Sequence, residues 1–242
     1  MPELSCILLA GPNGSGKSSA FAKLDLEGVW INADEIANAM PAIGDGKSTD
    51  IQAGRAALRY IAEMIETRQS FIFETTLSSQ QSIRLMREAK AAGFMVGLYY
   101  VALDSVERNV ERVRQRVLKG GHSIPEENIR RRHKGSFANL TAALMVADEV
   151  VLIDNSGLEP HEAFVISSGE ILSFDIDDSQ ELHGIFSDKV CEAYDLVRTE
   201  DGFRKAPKLA ARRGGDGGFH PEAVTWTWAE ASGHEVRVAC SN

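Results

Sequence analysis

Cysteine is scarce in this chain: three residues, Cys6, Cys191 and Cys240, far apart and odd in number. That pattern excludes a disulfide framework and a paired-cysteine zinc site. Also missing is any apolar run long enough to cross a bilayer as a helix. The opening Met-Pro-Glu-Leu-Ser lacks the basic start and long apolar stretch of a secretory leader. The expected location is a reducing cytoplasm, with no membrane partner. Positive charge is in short supply as well: 26 Lys and Arg stand against 35 Asp and Glu, a net −9. Such a balance disfavours a general nucleic-acid binder. No internal repeat divides the 242 residues, and their 43% hydrophobic content suffices for the core of one α/β domain with an appendage.

What is present is concentrated in Gly11-Pro-Asn-Gly-Ser-Gly-Lys-Ser18, which fits the phosphate-binding pattern G-x-x-x-x-G-K-[ST] at every required position. An apolar run from Cys6 to Ala10 reads as the buried strand before it, and Ser18 to Leu24 as the helix after it. Glycines in such a loop leave its N–H groups free to converge on a phosphate. Gly11, Pro12, Asn13, Gly14, Ser15, Gly16, Lys17, Ser18 and Ser19 make up the expected cradle for ATP. Lys17 would reach the β- and γ-phosphates, and the Ser18 hydroxyl would ligate Mg²⁺.

Beyond the loop, Val29 to Asn32 reads as a second strand. Asp34 then falls on the sheet edge where open α/β folds bind ligands, the position of a general base for an incoming hydroxyl. Asn32 or Asp34 equally suits the N-cap of a helix from Glu35 to Met40. Pro41 to Asp50 reads as a loop, and the spacing of Ala57, Leu58, Ile61, Met64 and Ile65 predicts a helix over 51–68. Gln69 to Phe73 is the third strand, with the polar end Glu74-Thr-Thr-Leu-Ser78. Glu74 has the position to hold Mg²⁺ through water or a sugar hydroxyl, and Thr76 to bond a substrate oxygen; Thr75, Thr76 and Ser78 also suit capping of the helix from Ser79 to Ala92.

Met95 to Leu103 is apolar enough for a central parallel strand, and Glu149 to Ile153 forms a fifth strand. Between them lie two arginine-rich helices, Val106 to Leu118 and one beginning at Glu126, joined by a Gly120-Gly121 turn. Guanidinium groups match the charge spread over a transferring phosphoryl group, so these helices read as a lid over a nucleotide. Arg116 and Arg132 are the chosen candidates, with Arg112 and Arg131 as near alternatives; most of the lid arginines read as solvated or salt-bridging. Asn155 suits either a turn or a place beside a base or ribose. Residues 163–167 and 170–174 read as a hairpin about Ser168-Gly169. After Asp175 an acidic stretch, a helix near 187–197, a glycine-rich segment over 205–218 and short strands near Trp226-Thr-Trp228 and 236–239 carry no assigned chemistry.

Taken in order, the loop motif, Asn32-Ala-Asp-Glu-Ile36, Ala53 to Leu58, Phe73 to Ser78, Gly120 to Pro125, Arg130-Arg-Arg132 and Asp154-Asn-Ser156 resemble the zeta-toxin family of P-loop kinases, over about residues 5–174. The resemblance implies a P-loop NTPase three-layer sandwich with a mainly parallel five-stranded sheet. It implies a kinase domain over 1–175 with a lid over about 105–140, and a C-terminal extension over 176–242. It further implies ATP- and Mg²⁺-dependent phosphorylation of a UDP-activated amino sugar such as UDP-N-acetylglucosamine, and an antitoxin protein as a possible partner. By that resemblance Lys17 and Ser18 bind ATP and metal, Asp34 is the catalytic aspartate, Glu74 and Thr76 contact the sugar nucleotide, and Arg116 and Arg132 are lid arginines. Three other readings fit the loop: a kinase of another small metabolite, a kinase of nucleic-acid ends, and a nucleotide-dependent switch with Trp226 and Trp228 as partner surface.

Overall fold

The computed structural model describes residues 4–21, 26–33, 35–36, 47–121, 123–206, 226–229 and 235–238. Two compact units divide the chain, Met1–Ala206 and Pro207–Asn242.

The first unit is built on strands β1 (Ser5–Ala10), β2 (Val29–Ile31), β3 (Phe71–Thr75), β4 (Met95–Ala102) and β5 (Glu149–Asp154). They pair in parallel in the order β2-β3-β1-β4-β5. β1 and β4 are continuous apolar runs because both faces of a parallel sheet are covered. Alternate residues of β1 serve different cores. Cys6, Leu8 and Ala10 join the larger one, with Phe71, Leu98 and Phe164, while Leu9 joins a smaller one with Val101 and Ile153. Burial pushes the Cys6 thiol up to about 12, so it behaves as a small apolar group.

The sheet has seven strands, not the five expected from sequence. β6 (His161–Ser167) pairs antiparallel with β5, and β7 (Glu170–Phe174) pairs antiparallel with β6. The expected hairpin is real, but it extends the main sheet instead of standing alone. The reason is physical: β5 would otherwise carry an open edge, and Ala163, Phe164 and Ile166 are buried in the same core as β4.

The helices with bounds among the described residues are α1 (Lys17–Phe21), α2 (Lys47–Glu66), α3 (Gln80–Ala91), α4 (Val106–Leu118), α5 (Glu126–Leu144) and α6 (Glu181–Tyr194). Ser105 caps α4 by accepting from Arg108 N at 3.4 Å. α5 is a single helix through both the arginine run and the segment from Phe137 onward. α6 begins six residues before the helix expected near Ser187, because Leu182, Phe186 and Val190 recur at four-residue spacing and are all buried. It ends at Asp195, which takes a left-handed conformation at φ 52°. A hairpin of β8 (Leu196–Thr199) and β9 (Gly202–Lys205) follows, and Phe203 packs edge-on against Phe164 and Phe174. The compact unit therefore runs past residue 175 and takes in this helix and hairpin. In the second unit, β10 (Trp226–Ala229) pairs antiparallel with β11 (Glu235–Val238).

Candidate active site

The glycine loop leaves the end of β1 and enters α1, as strand-loop-helix order requires. Gly11 N donates to Thr75 O at 3.2 Å, which seats the loop beside the end of β3. Gly11 has φ 139°, and a Cβ there would collide with Val101 O; Gly16 has φ 90°, and a Cβ there would collide with Asn155 Nδ2. Only glycine serves at these two positions. Ser15 N donates to Pro12 O at 3.2 Å and closes the curve. Lys17 is buried, and its Nζ donates to Gly11 O at 2.8 Å and Pro12 O at 3.1 Å.

Glu74, at the end of β3, is where the neighbouring crossovers meet. Its Oε2 accepts from Ser18 Oγ at 3.2 Å and from Asn32 Nδ2 at 3.0 Å, and its Oε1 lies 3.8 Å from Lys17 Nζ. Lys17 and Ser18 from the start of α1 and Asn32 from the segment after β2 thus converge on one carboxylate. Asp34 itself lies outside the described residues. Beside it, Ile36 N donates to Asn32 O at 3.0 Å, and Glu35 accepts from Trp30 Nε1 at 2.9 Å.

A cavity of about 320 Å³ opens from this point. The loop contributes Asn13 and Lys17, the end of β3 contributes Glu74 and Thr76, α2 contributes Gly54 and Leu58, and the lid side contributes Pro125 and Arg132. Thr76 Oγ1 lies 2.8 Å from Ser78 Oγ. Between them Leu77 is fully buried with φ 54°, a conformation that costs an L-residue roughly 1–2 kcal/mol. The turn turns Thr76 and Ser78 toward the cavity and is held by Asn139 Nδ2, which donates to Leu77 O at 2.9 Å. Thr75 also lines the cavity, but its hydroxyl is engaged, sharing a 2.9 Å contact with Ser82 Oγ and accepting from Leu77 N. Ser79, the N-cap of α3, makes no side-chain cap bond.

The arginines of the lid segregate. Arg132 Nη1 donates to Asn13 Oδ1 at 3.3 Å, directly over the loop. Arg116 is exposed near the end of α4 and does not line the cavity. Arg112 Nη2 donates to Asn155 O at 2.8 Å, behind the loop. Arg131 is exposed and donates to Asn128 Oδ1 at 3.0 Å. Arg130 ties the two helices together, reaching Glu107 at 2.9 Å and Glu126 at 2.8 Å. Arg108 reaches Asp104 and Ser156 O. The structure therefore brings together Lys17, Ser18, Glu74, Thr76, Asn13 and Arg132, and leaves Arg116 outside the group.

Two neighbours were not singled out in these roles by sequence. Asn109 sits on the apolar stripe of α4 with Val106, Val110, Val113 and Val117, and it is fully buried against the loop. A polar residue on a stripe of valines was the available signal. Asn155, open to two roles in the sequence, donates Nδ2 to Ser15 O at 2.8 Å.

A profile of the family described as Zeta toxin matches residues 4–162. The chain belongs to the zeta-toxin family. An uncharacterised protein of Haemophilus influenzae is 36% identical over 128 residues, which is 52% of this zeta-toxin family chain and 91% of the relative. Among solved structures, AvrRxo1-ORF1 in complex with ORF2 and ATP aligns at a TM-score of 0.60 and 15% identity, over 88% of this chain and 66% of that one. The PezAT chromosomal toxin–antitoxin system of Streptococcus pneumoniae aligns at 0.50 and 15% identity, over 80% of this chain and 87% of that one. At such identities these two likenesses concern the fold, a mainly parallel P-loop kinase architecture, and this chain spans just under two thirds of the AvrRxo1 structure's length. Membership in the family supports reading this chain as a nucleotide-dependent kinase. Among the described residues no helix is long and apolar enough to cross a membrane.

Proposed function

We propose that this protein transfers the γ-phosphate of ATP to a hydroxyl of a UDP-activated amino sugar, UDP-N-acetylglucosamine being the type, with an antitoxin protein as its natural partner. The observation that carries this reading is the convergence of Lys17, Ser18 and Asn32 on Glu74 at the mouth of the 320 Å³ cavity. The phosphate loop and a compartment for an acceptor share that wall.

In this reading the loop from Gly11 to Ser19 binds the triphosphate, and Lys17 neutralises its outer oxygens. The Ser18 hydroxyl, with Glu74 3.2 Å from it, offers hard oxygen donors of the kind Mg²⁺ takes, so Ser18 and Glu74 are the residues that would hold the ion. The ion supplies positive charge to the phosphates when bound. Glu74 and Thr76 orient the acceptor sugar across the cavity. Asp34 accepts the hydroxyl proton as the oxygen attacks phosphorus. Arg132, 3.3 Å from Asn13, stabilises the charge that develops, whereas Arg116 lines no part of the cavity and takes no role in this arrangement. The toxin–antitoxin system named for the Streptococcus pneumoniae relative motivates the partner; co-expression that relieves growth arrest is its test.

Asp34→Ala provides the sharpest dissection of the chemistry. The variant is expected to bind ATP as the parent does and to lose phosphoryl transfer by at least a hundredfold, the scale of a general base. Transfer at the parental rate would remove Asp34 from the mechanism.

A further inference from the structure

Two asparagines outside the phosphate loop grip it from behind. Asn109 of α4 donates Nδ2 to Asn13 O at 2.8 Å, and Asn155, just past β5, donates Nδ2 to Ser15 O at 2.8 Å. A carbonyl oxygen bonds only a donor, so the contact itself fixes which way each amide faces. Asn109 is fully buried, and its Oδ1 has no hydrogen-bond partner. Its one side-chain bond thus goes to the loop. An interior amide left half satisfied is a poor choice for packing alone.

The consequence follows from peptide geometry. In a planar trans peptide, the carbonyl oxygen and the next residue's N–H point in opposite directions. Holding the carbonyls of Asn13 and Ser15 toward α4 and β5 turns the N–H groups of Gly14 and Gly16 the other way. Lys17 Nζ folds back onto the same loop, held by Gly11 O and Pro12 O. Gly14 and Gly16 have φ of 78° and 90°, and glycine peptides rotate with little steric resistance. The same freedom that admits the loop's conformation leaves these two planes without an internal restraint. Arg112 extends the support, donating to Asn155 O at 2.8 Å.

We propose that Asn109 and Asn155 are positioning residues for phosphate recognition, each setting one peptide plane so that its N–H meets an anionic oxygen. The proposal rests on the nucleotide-binding reading above and deepens it. It assigns the first half of α4 to the floor of the nucleotide site, with Asn109 about two helical turns before Arg116.

The test uses the full chain and two probes, ATP and inorganic tripolyphosphate, with affinities measured by calorimetry and the unliganded melting temperature recorded alongside. Asn109→Asp and Asn155→Asp keep the shape but set a carboxylate oxygen against the loop carbonyl. Asn109→Ala and Asn155→Ala remove the hold without adding charge and serve where a buried aspartate prevents folding. Each folded variant is expected to lose about tenfold or more in affinity, by the same factor for both probes, since the loss lies in the phosphate cradle. Unchanged affinities with only a lowered melting temperature would reduce the asparagines to packing and overturn the proposal. A loss confined to ATP would overturn it differently, by putting Asn155 at the base or ribose. If the parent protein bound neither probe, the nucleotide reading would fall and take the proposal with it, an outcome distinct from binding parent and unaffected variants.

Discussion

Lys17 and Glu74 are 3.8 Å apart, and Glu74 also accepts from Ser18 and Asn32. Removing that carboxylate unsettles three donors at once, which a single-contact residue would not. Glu74→Gln keeps the size but replaces one acceptor oxygen with a donor facing other donors. It is expected to lower turnover by at least a hundredfold while leaving the melting temperature within a few degrees; activity and thermal melts on the same preparation check this. Arg132→Ala is expected to cost roughly 10³-fold in turnover, the lower end for an arginine that stabilises a transferring phosphoryl group, with ATP affinity reduced far less. Single-turnover kinetics would separate the two effects. Much of this site was legible because a phosphate loop is a contiguous pattern whose chemistry depends on fixed spacing. Glu74 and Thr76 were legible through their place at a strand end. The choice among arginines was not, since Arg112, Arg116, Arg131 and Arg132 differ by helix phase and by what each helix packs on. The contacts of Asn109 and Asn155 lie 96 and 140 residues away in the chain and leave no local trace.

At the level of elements, α2 and the lid both line the cavity, and Gly54 is a thin place in the α2 lining. A Cβ on Gly54 would meet nothing within 4 Å, so the helix does not require glycine there. Gly54→Phe is therefore expected to fold and to gain at most roughly 0.3 kcal/mol of helix stability while its ring fills acceptor space. Nucleotide affinity should hold, and acceptor KM should rise more than tenfold; a Gly54→Ala control should leave both unchanged. The strands were the most legible elements, since a buried parallel strand is a continuous apolar run such as Met95 to Ala102. Sheet size was less so. The β6–β7 hairpin is readable from its turn, but which edge it joins depends on how β5 would otherwise be left, and pairing partners are not written locally. The start of α6 was missed because Leu182 and Phe186 flank a glycine and a histidine that blur the apolar spacing.

Over the whole first unit, residues 176–206 are bound into the core of the domain. Leu182, Phe186 and Val190 are buried, Tyr194 Oη donates to Leu144 O at 2.9 Å, and Thr141 Oγ1 donates to Glu192 at 2.8 Å. His183 accepts from Asp177 N on Nδ1, which leaves its proton on Nε2, 3.3 Å from Asp154 Oδ2 though off the line of a hydrogen bond. Asp154 immediately precedes Asn155, so α6 packs one residue from the support of the phosphate loop. Phe186→Ala is expected to cost about 3–5 kcal/mol in denaturant unfolding. A chain ending at 175 should lose the cooperative transition, and one ending at 206 should keep it. Composition alone could not reveal this, because an acidic stretch and a short helix read alike whether they pack or not. The central claim, phosphoryl transfer to a hydroxyl of a UDP-amino sugar, is met most directly by mass spectrometry of a UDP-sugar mixture incubated with the protein, ATP and Mg²⁺, beside the Asp34→Ala variant. The account predicts one added phosphate on the N-acetylhexosamine moiety, absent with the variant. Consumption of ATP with every UDP-sugar left at its original mass would contradict it.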